Sequence, residues 1–419
     1  MITIRNSRSR LSRPVLRGGC RKLCDYWRSQ LLRTSSDRLS VAQVSEPNFY
    51  IDDLDALDRA GRRRALTPPT GFDFSSNDYL GLAHSGLLRQ AARAALDRGV
   101  GLGSGGSRLL RGNTCEHEKL EHFAAELFGS EAALFVGSGF AANSLIFSTL
   151  PQPGDLIVHD ALIHASAHEG MRLSRAPYEC FAHNDVGAAE AVIRRWRARG
   201  GRGTPWLAFE TLYSMDGDVA PVADFVALAE RTGAMLVIDE AHAVGVLGKD
   251  GRGLAADFHD RENVIGLVTC GKALGCEGGL ILCSTLMREF LINRGRAFIF
   301  STAPSSLIAA VVRDSLAMMT QSEDRRDRLR ALVRHAEIAF GRLGVIPSGS
   351  QIQPIVIGDD ARTMRIAAGL QERGFDVRGI RPPTVSPGTA RLRVSITLNV
   401  DEQSIDGLAA VAKDLLESA

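Results

Sequence analysis

Between residues 131 and 283 the chain alternates short apolar runs with helical stretches, a pattern that few folds accept. The runs are AALFV (132–136), DLIVHD (155–160), WLAFE (206–210), MLVID (235–239), IGLVT (265–269) and GLILC (279–283). A strand with one wet face would alternate polar and apolar residues, whereas strands this apolar have both faces covered. Helical stretches such as DVGAAEAVIRRWRARG and PVADFVALAERTG separate them. The combination predicts an α/β fold built on a mostly parallel sheet with helices on both sides. Ligands of such sheets sit at the carboxyl ends of the strands. Glu210, Asp239 and Thr269 each close a run, and GSGF at 137–140 follows another and opens a helix.

Just past Thr269 stands Lys272, between Gly271 and Gly275. A lysine buried at a strand end loses solvation, which disfavours its ammonium form and frees the amine to attack a carbonyl. Around it, Asp239 can keep a ring nitrogen protonated and His242 can reach a phenolic oxygen. His164, in IHAS, can stack on a ring face, and Thr269 adds a hydroxyl. Gly139 and Phe140 place backbone donors at a helix N-terminus, where a phosphate is well held. Singly, each has a structural reading: a solvated lysine, an ion-paired aspartate, satisfied histidines. Together they describe pyridoxal phosphate joined to a lysine.

The flanks are organised differently. An amphipathic helix is predicted over about 49–66, ending in Arg62, Arg63 and Arg64, then a short strand and polar turn at FDFSSNDYLGLA (72–83) and helices over 86–98 and 114–128. Beyond about 302, helices over 304–319 and 323–343 lead to the strands IQPIVIG, VRGIRPP and ARLRVSIT and a helix from 401, a smaller α+β domain. The expected division is 1–46 as a basic, disordered extension, 47–84 as an N-terminal segment, 85–301 as the large domain and 302–419 as the small one. The net charge of +2 conceals nine arginines and Lys22 against Asp25 and Asp37 within residues 1–40, a local +8 that leaves the rest at −6. That front reads as a transit peptide or as an upstream stretch outside the working protein. Seven cysteines without paired spacing point to reduced thiols, and no apolar run reaches the ~20 residues that a bilayer requires. The expectation is a soluble, cytoplasmic protein, or a mitochondrial one if the front is a transit peptide, with no metal and no nucleic-acid partner.

The motifs SSNDYLGL, GSGGSR, SGFAAN, HAS, SMDGD, DEAH, TCGKALG and STAP, in that order from about residue 49 onward, resemble those of the α-oxoamine synthase family. These are fold type I pyridoxal phosphate transferases that condense an amino acid with an acyl thioester and lose carbon dioxide. The resemblance implies a large domain with a mostly parallel seven-stranded sheet, a smaller C-terminal domain and a homodimer with shared active sites. It implies that Lys272 carries the cofactor and later removes the α-proton, that Asp239 pairs with the ring nitrogen and that His164 stacks on the ring. Ser214 and His242 are expected on the phenolic oxygen, Gly139, Phe140 and Thr269 on the cofactor, and Ser301 and Thr302 on the phosphate of the neighbouring subunit. Arg393 should clamp the substrate carboxylate with Asn77 nearby, Thr384 should lie on the acyl side, and Arg62 should meet the far carboxylate of the acyl chain. GIRPPTVSPGTARLRVSIT (379–397), IQPIVIGDD and FAHNDV are most similar to the member that uses L-alanine and pimeloyl-CoA or a pimeloyl-carrier protein. Glycine- and serine-using members share the cofactor residues, and a catalytically silent partner subunit would lack Lys272. Cys270 stands where the family tends to an apolar residue, and Ala243 and Val244 replace its frequent Gly-Thr.

Overall fold

The computed structural model describes residues 48–418; the expectations for residues 1–46 lie outside them. Two compact units divide between Ala65 and Leu66. The first holds helix α1 (Asn48–Arg59), which has no buried residue. The predicted end at 66 overshoots. Gly61 adopts left-handed backbone at φ +61° and the Arg62 N–H folds back onto the Leu57 carbonyl at 2.7 Å, which stops the helix.

The second unit begins with β1 (Phe72–Asp73), α2 (Gly86–Asp97), α3 (Cys115–Phe128), β2 (Ala132–Val136), α4 (Gly139–Thr149), β3 (Leu156–Asp160) and α5 (Ala165–Arg172). It continues through β4 (Tyr178–Phe181), α6 (Val186–Ala198), β5 (Pro205–Glu210), α7 (Val222–Thr232), β6 (Met235–Asp239), β7 (Val264–Thr269) and β8 (Gly279–Cys283). Strands β2 to β8 form a seven-stranded sheet in the order β2-β8-β7-β6-β5-β3-β4. Only β8 runs against its neighbours β2 and β7; the other pairings are parallel. All six apolar runs are strands. The seventh, β4, has the sequence YECF and pairs only with β3 at the sheet edge, half exposed, so it needs no continuous apolar pattern.

Side chains alternate across a strand, and here both faces are apolar. Trp206, Ala208, Val237, Ile265, Leu267 and Ile281 enter one core with α4. Their neighbours Leu207, Phe209, Leu236 and Ile238 enter a second with α6 and α7, and Leu280 and Leu282 a third with α3. Each such Val, Leu, Ile or Phe side chain stabilises the fold by roughly 1.5–3 kcal/mol on burial.

Helices α8 (Thr285–Arg294), α9 (Arg296–Ile299), α10 (Ser306–Thr320) and α11 (Glu323–Gly341) lead to β9 (Ile352–Gly358), α12 (Asp360–Glu372), β10 (Phe375–Asp376), β11 (Arg378–Ile380), β12 (Ala390–Ser395) and α13 (Glu402–Ser418). An antiparallel sheet in the order β11-β12-β9 carries the C-terminal part. Along β12 the period of two separates functions: Leu392 and Val394 pack into the apolar core, while Arg391, Arg393 and Ser395 share the opposite face. The segment after β1 is stitched to this sheet, with the Ser395 N–H on the Phe74 carbonyl at 2.8 Å and the Leu398 N–H on that of Tyr79 at 3.0 Å. No helix of the described residues is long and apolar enough to cross a membrane.

Candidate active site

Strands β5, β6 and β7 end on Glu210, Asp239 and Thr269, the three residues singled out by sequence. Beyond Thr269 the chain forms a compact loop before β8, closed by the Cys276 N–H on the Cys270 carbonyl at 2.9 Å and the Gly275 N–H on that of Lys272 at 2.8 Å. Lys272 stands on this loop.

Its Nζ lies 2.9 Å from His242 Nε2. On the far side of the imidazole, Nδ1 lies 2.7 Å from the Tyr79 hydroxyl, which donates to Asn77 Oδ1 at 3.0 Å. Asn77 Oδ1 also accepts from Arg393 Nη2 at 3.0 Å. One hydrogen-bonded chain therefore runs from the lysine amine to the arginine fork. A protonated Lys272 must donate to Nε2, so Nδ1 carries the ring proton and donates to Tyr79. Burial, then the charges of Lys272, Arg393 and His164, hold His242 well below the usual histidine range, so this imidazole is neutral at physiological pH.

A second chain supports Asp239. Its Oδ1 accepts the Ala241 N–H at 2.9 Å and its Oδ2 accepts from Asn143 Nδ2 at 2.9 Å. Asn143 also reaches Ser166 Oγ at 2.9 Å, which lies 2.8 Å from His164 Nδ1. His164 is the N-cap of α5, so helix start and ring orientation are fixed together. Glu210 is the direct register partner of Asp239. Burial, then the Asp239 charge, pushes its carboxyl well above the usual range.

Lys272 responds to both. Burial lowers its amine to about 8, against the opposing pull of Asp239 and Glu210. A lysine with that basicity is partly neutral near pH 7, as a nucleophile or proton acceptor requires.

The remaining expected residues fall into two groups. Gly139 begins α4 behind the N-cap Ser138, and a Cβ placed on it would meet Thr269 Oγ1 at 3.2 Å. The first-turn donors of α4 and the Thr269 hydroxyl thus share one corner. Ser214 is buried, and its carbonyl accepts from Arg393 Nε at 2.6 Å. Ser301, Thr302 and Thr384, by contrast, are exposed and outside these chains, as is Phe140 at 51% exposure. Arg62 belongs to the first unit.

Sequence reasoning missed Tyr79, Asn143 and Ser166. Tyr79 sits inside the SSNDYLGL motif, where a large aromatic in polar turn chemistry signals a buried phenol needing a partner. Asn143 is one helical turn beyond Gly139, on the same face of α4. Cys270 is fully buried; burial pushes its thiol well up, which suits packing.

Near this cluster, His183 lies between two carboxylates, 2.9 Å from Asp160 Oδ1 and 2.8 Å from Asp218 Oδ2. Burial opposes its charge, but the bonds to Asp160 and Asp218 outweigh it and raise the imidazole from 6.5 to about 10. A base raised on folding stabilises fully below its unfolded value and loses that contribution as pH climbs through the folded one. The thermal midpoint should therefore fall between pH 6.5 and 10, more steeply in the wild type than in His183→Gln. Parallel profiles from a calorimetric pH series would contradict this.

The aminotransferase class I and II family model matches residues 69–411. An 8-amino-7-oxononanoate synthase of Chromobacterium violaceum is 39% identical over 371 residues, covering 85% of this chain and 95% of the relative. A crystal structure of the 8-amino-7-oxononanoate synthase from Francisella tularensis aligns with a TM-score of 0.70 at 26% identity, covering 83% of this chain and 98% of that one. A serine palmitoyltransferase from S. paucimobilis with a bound PLP–myriocin aldimine aligns with a TM-score of 0.80 at 25% identity, covering 89% and 98%.

Proposed function

The chain belongs to the aminotransferase class I and II family and groups there with the 8-amino-7-oxononanoate synthases, and from this we propose that it condenses L-alanine with a pimeloyl thioester, either pimeloyl-CoA or pimeloyl-carrier protein, releasing carbon dioxide and the thiol. The observation that carries the reading is the single hydrogen-bonded chain joining Lys272 to Arg393, which fits a proton acceptor and a carboxylate clamp built as one unit.

The residues present fit pyridoxal 5'-phosphate. A buried Asp239, its carboxyl held by Asn143 and the Ala241 N–H, suits a ring nitrogen, a neutral His242 suits a phenolic oxygen, and the corner of Gly139, Phe140 and Thr269 suits a phosphate. His164 would lie against the ring, with Ser214 on the phenolic side. When bound, the cofactor supplies a carbonyl carbon that joins to an amine and a ring that stabilises negative charge at the substrate's Cα.

This chain's residues do the rest. Arg393 would hold the alanine carboxylate in a charge-assisted fork and so turn the Cα–H bond toward Lys272. The Lys272 amine takes that proton. Neutral His242 keeps Nε2 available to the lysine without adding positive charge, and Tyr79 and Asn77 hold the imidazole and the guanidinium in fixed relation. Most of the gain is positional, since reacting groups held at contact distance avoid the entropy of meeting.

Ser301 and Thr302, exposed in one chain, suit a role at the cofactor phosphate of a second copy, so a homodimer is part of the reading. Thr384 and Arg62 are assigned to the acyl side, Arg62 to the far carboxylate. Residues 85–301 would hold the cofactor and 302–419 the clamp, in a protein of the cytoplasm.

A serine-using reading has one observation in its favour, the higher TM-score to serine palmitoyltransferase. The 39% identity to an 8-amino-7-oxononanoate synthase against 25% to the palmitoyltransferase outweighs it. Cofactor-loaded protein supplied with alanine, glycine or serine and with pimeloyl-, acetyl-, succinyl- or palmitoyl-CoA should release free thiol fastest with alanine and pimeloyl-CoA. Faster turnover of glycine with acetyl- or succinyl-CoA, or of serine with palmitoyl-CoA, would overturn the assignment.

A further inference from the structure

We propose that His183 is a positioning residue: clamped between Asp160 and Asp218, it fixes the 211–219 turn whose Ser214 carbonyl aims the Arg393 guanidinium, and so sets the affinity for the amino-acid carboxylate. The inference rests on the reading of Arg393 as that clamp.

Both ring nitrogens of His183 face carboxylate oxygens at hydrogen-bond distance. Carboxylates only accept, so both nitrogens donate and the ring is an imidazolium. Asp160 closes β3 and is fully buried. Its Oδ1 also takes the Leu162 N–H at 2.8 Å and its Oδ2 the Asn184 N–H at 2.8 Å. Asn184, at φ +55°, sends its Nδ2 to Asp218 Oδ2 at 2.7 Å. Tyr213 sets its ring edge-on to His183, centroids 4.4 Å apart. His183 and Asn184 thus hold Asp218 from the side of the main sheet.

Asp218 belongs to a tight turn. Leu212 and Val219 bridge antiparallel, the Tyr213 N–H reaches the Asp218 carbonyl at 3.0 Å, and the Gly217 N–H reaches that of Tyr213 at 3.0 Å. The other side of the turn meets β12, where Arg391 pairs with Asp216 and Arg393 Nε donates to the Ser214 carbonyl. The turn is the link between the sheet that carries Asp239 and the strand that carries Arg393. Without the imidazolium, two carboxylates would face each other with their charges uncompensated. Asp160 is fully buried and held by two backbone N–H groups, so Asp218 would yield and carry Ser214 with it.

The test is a double-mutant cycle on cofactor-loaded protein, with L-alanine affinity read from the change in visible absorbance. His183→Gln should weaken alanine binding roughly tenfold or more while kcat stays within about threefold, since the clamp is displaced and the proton acceptor is not. Asp218→Asn should act in the same direction and decides the matter if His183→Gln does not fold. Arg393→Lys should weaken binding further, and adding His183→Gln to it should cost less than about twofold more. In the apoprotein, hydrogen exchange of residues 211–219 should quicken in both His183→Gln and Asp218→Asn while β6 stays protected. If neither variant changes alanine affinity although Arg393→Lys does, His183 is only a structural ion pair and the inference fails. If Arg393→Lys itself leaves affinity unchanged, the clamp reading fails first.

Discussion

Replacing Lys272 with alanine is expected to lower turnover by about 10⁴-fold or more and to abolish the visible absorbance of the cofactor-loaded protein in the same step. The amine is 2.9 Å from His242 Nε2 at the head of the chain to Arg393, and no other lysine among the described residues shares that place. The fold should survive, because neighbouring Ala273 and Leu274 are buried in apolar cores and keep their packing. A second readout follows from the lowered basicity. Recombination of wild-type apoprotein with pyridoxal phosphate should accelerate as pH rises through about 8, where Lys272 loses its proton, and then level off. A visible band retained in Lys272→Ala would remove the lysine from the chemistry.

Asp239→Asn should lower kcat by roughly 10²–10³-fold while alanine affinity, read by absorbance, moves by about threefold or less. On the proposed reading, an asparagine has the right shape but could not keep a ring nitrogen protonated, so charge at Cα would be less well stabilised. It also turns a donor toward Asn143 Nδ2, which now donates to Oδ2. Two neighbours should respond with opposite signs of consequence. Asp239 raises the basicity of Lys272 and also raises the Glu210 carboxyl; without it, Lys272 becomes still less basic and Glu210 ionises at lower pH. Loss of alanine binding with an unchanged kcat would assign Asp239 to the substrate rather than to the ring.

Much of this was legible in the sequence because local pattern and function coincide on the sheet. Strands buried on both faces must be apolar throughout, so β5, β6 and β7 announce themselves and their terminal polar residues stand out. Strand β4 lies at the edge, with one partner and half-exposed residues, and gives no such signal. The helical pattern overshoots the end of α1 because the polar sequence continues it past Gly61, where only the backbone turn stops the helix. The site was legible residue by residue but not as a network. Spacing says nothing of Tyr79 lying between Asn77 and His242, or of Asn143 joining Asp239 to Ser166, since these bonds cross 163 and 96 positions of chain. The pairing of Ser214 with Arg393 through a backbone carbonyl is invisible to any motif, which names side chains.

The most direct measurement supplies carboxyl-labelled L-alanine and pimeloyl-CoA to the cofactor-loaded protein and counts labelled carbon dioxide against free thiol. The expected result is one labelled carbon dioxide for each thiol, with 8-amino-7-oxononanoate as the product by mass spectrometry. Thiol release without carbon dioxide, or no release with alanine while glycine or serine turns over with another acyl-CoA, would contradict it.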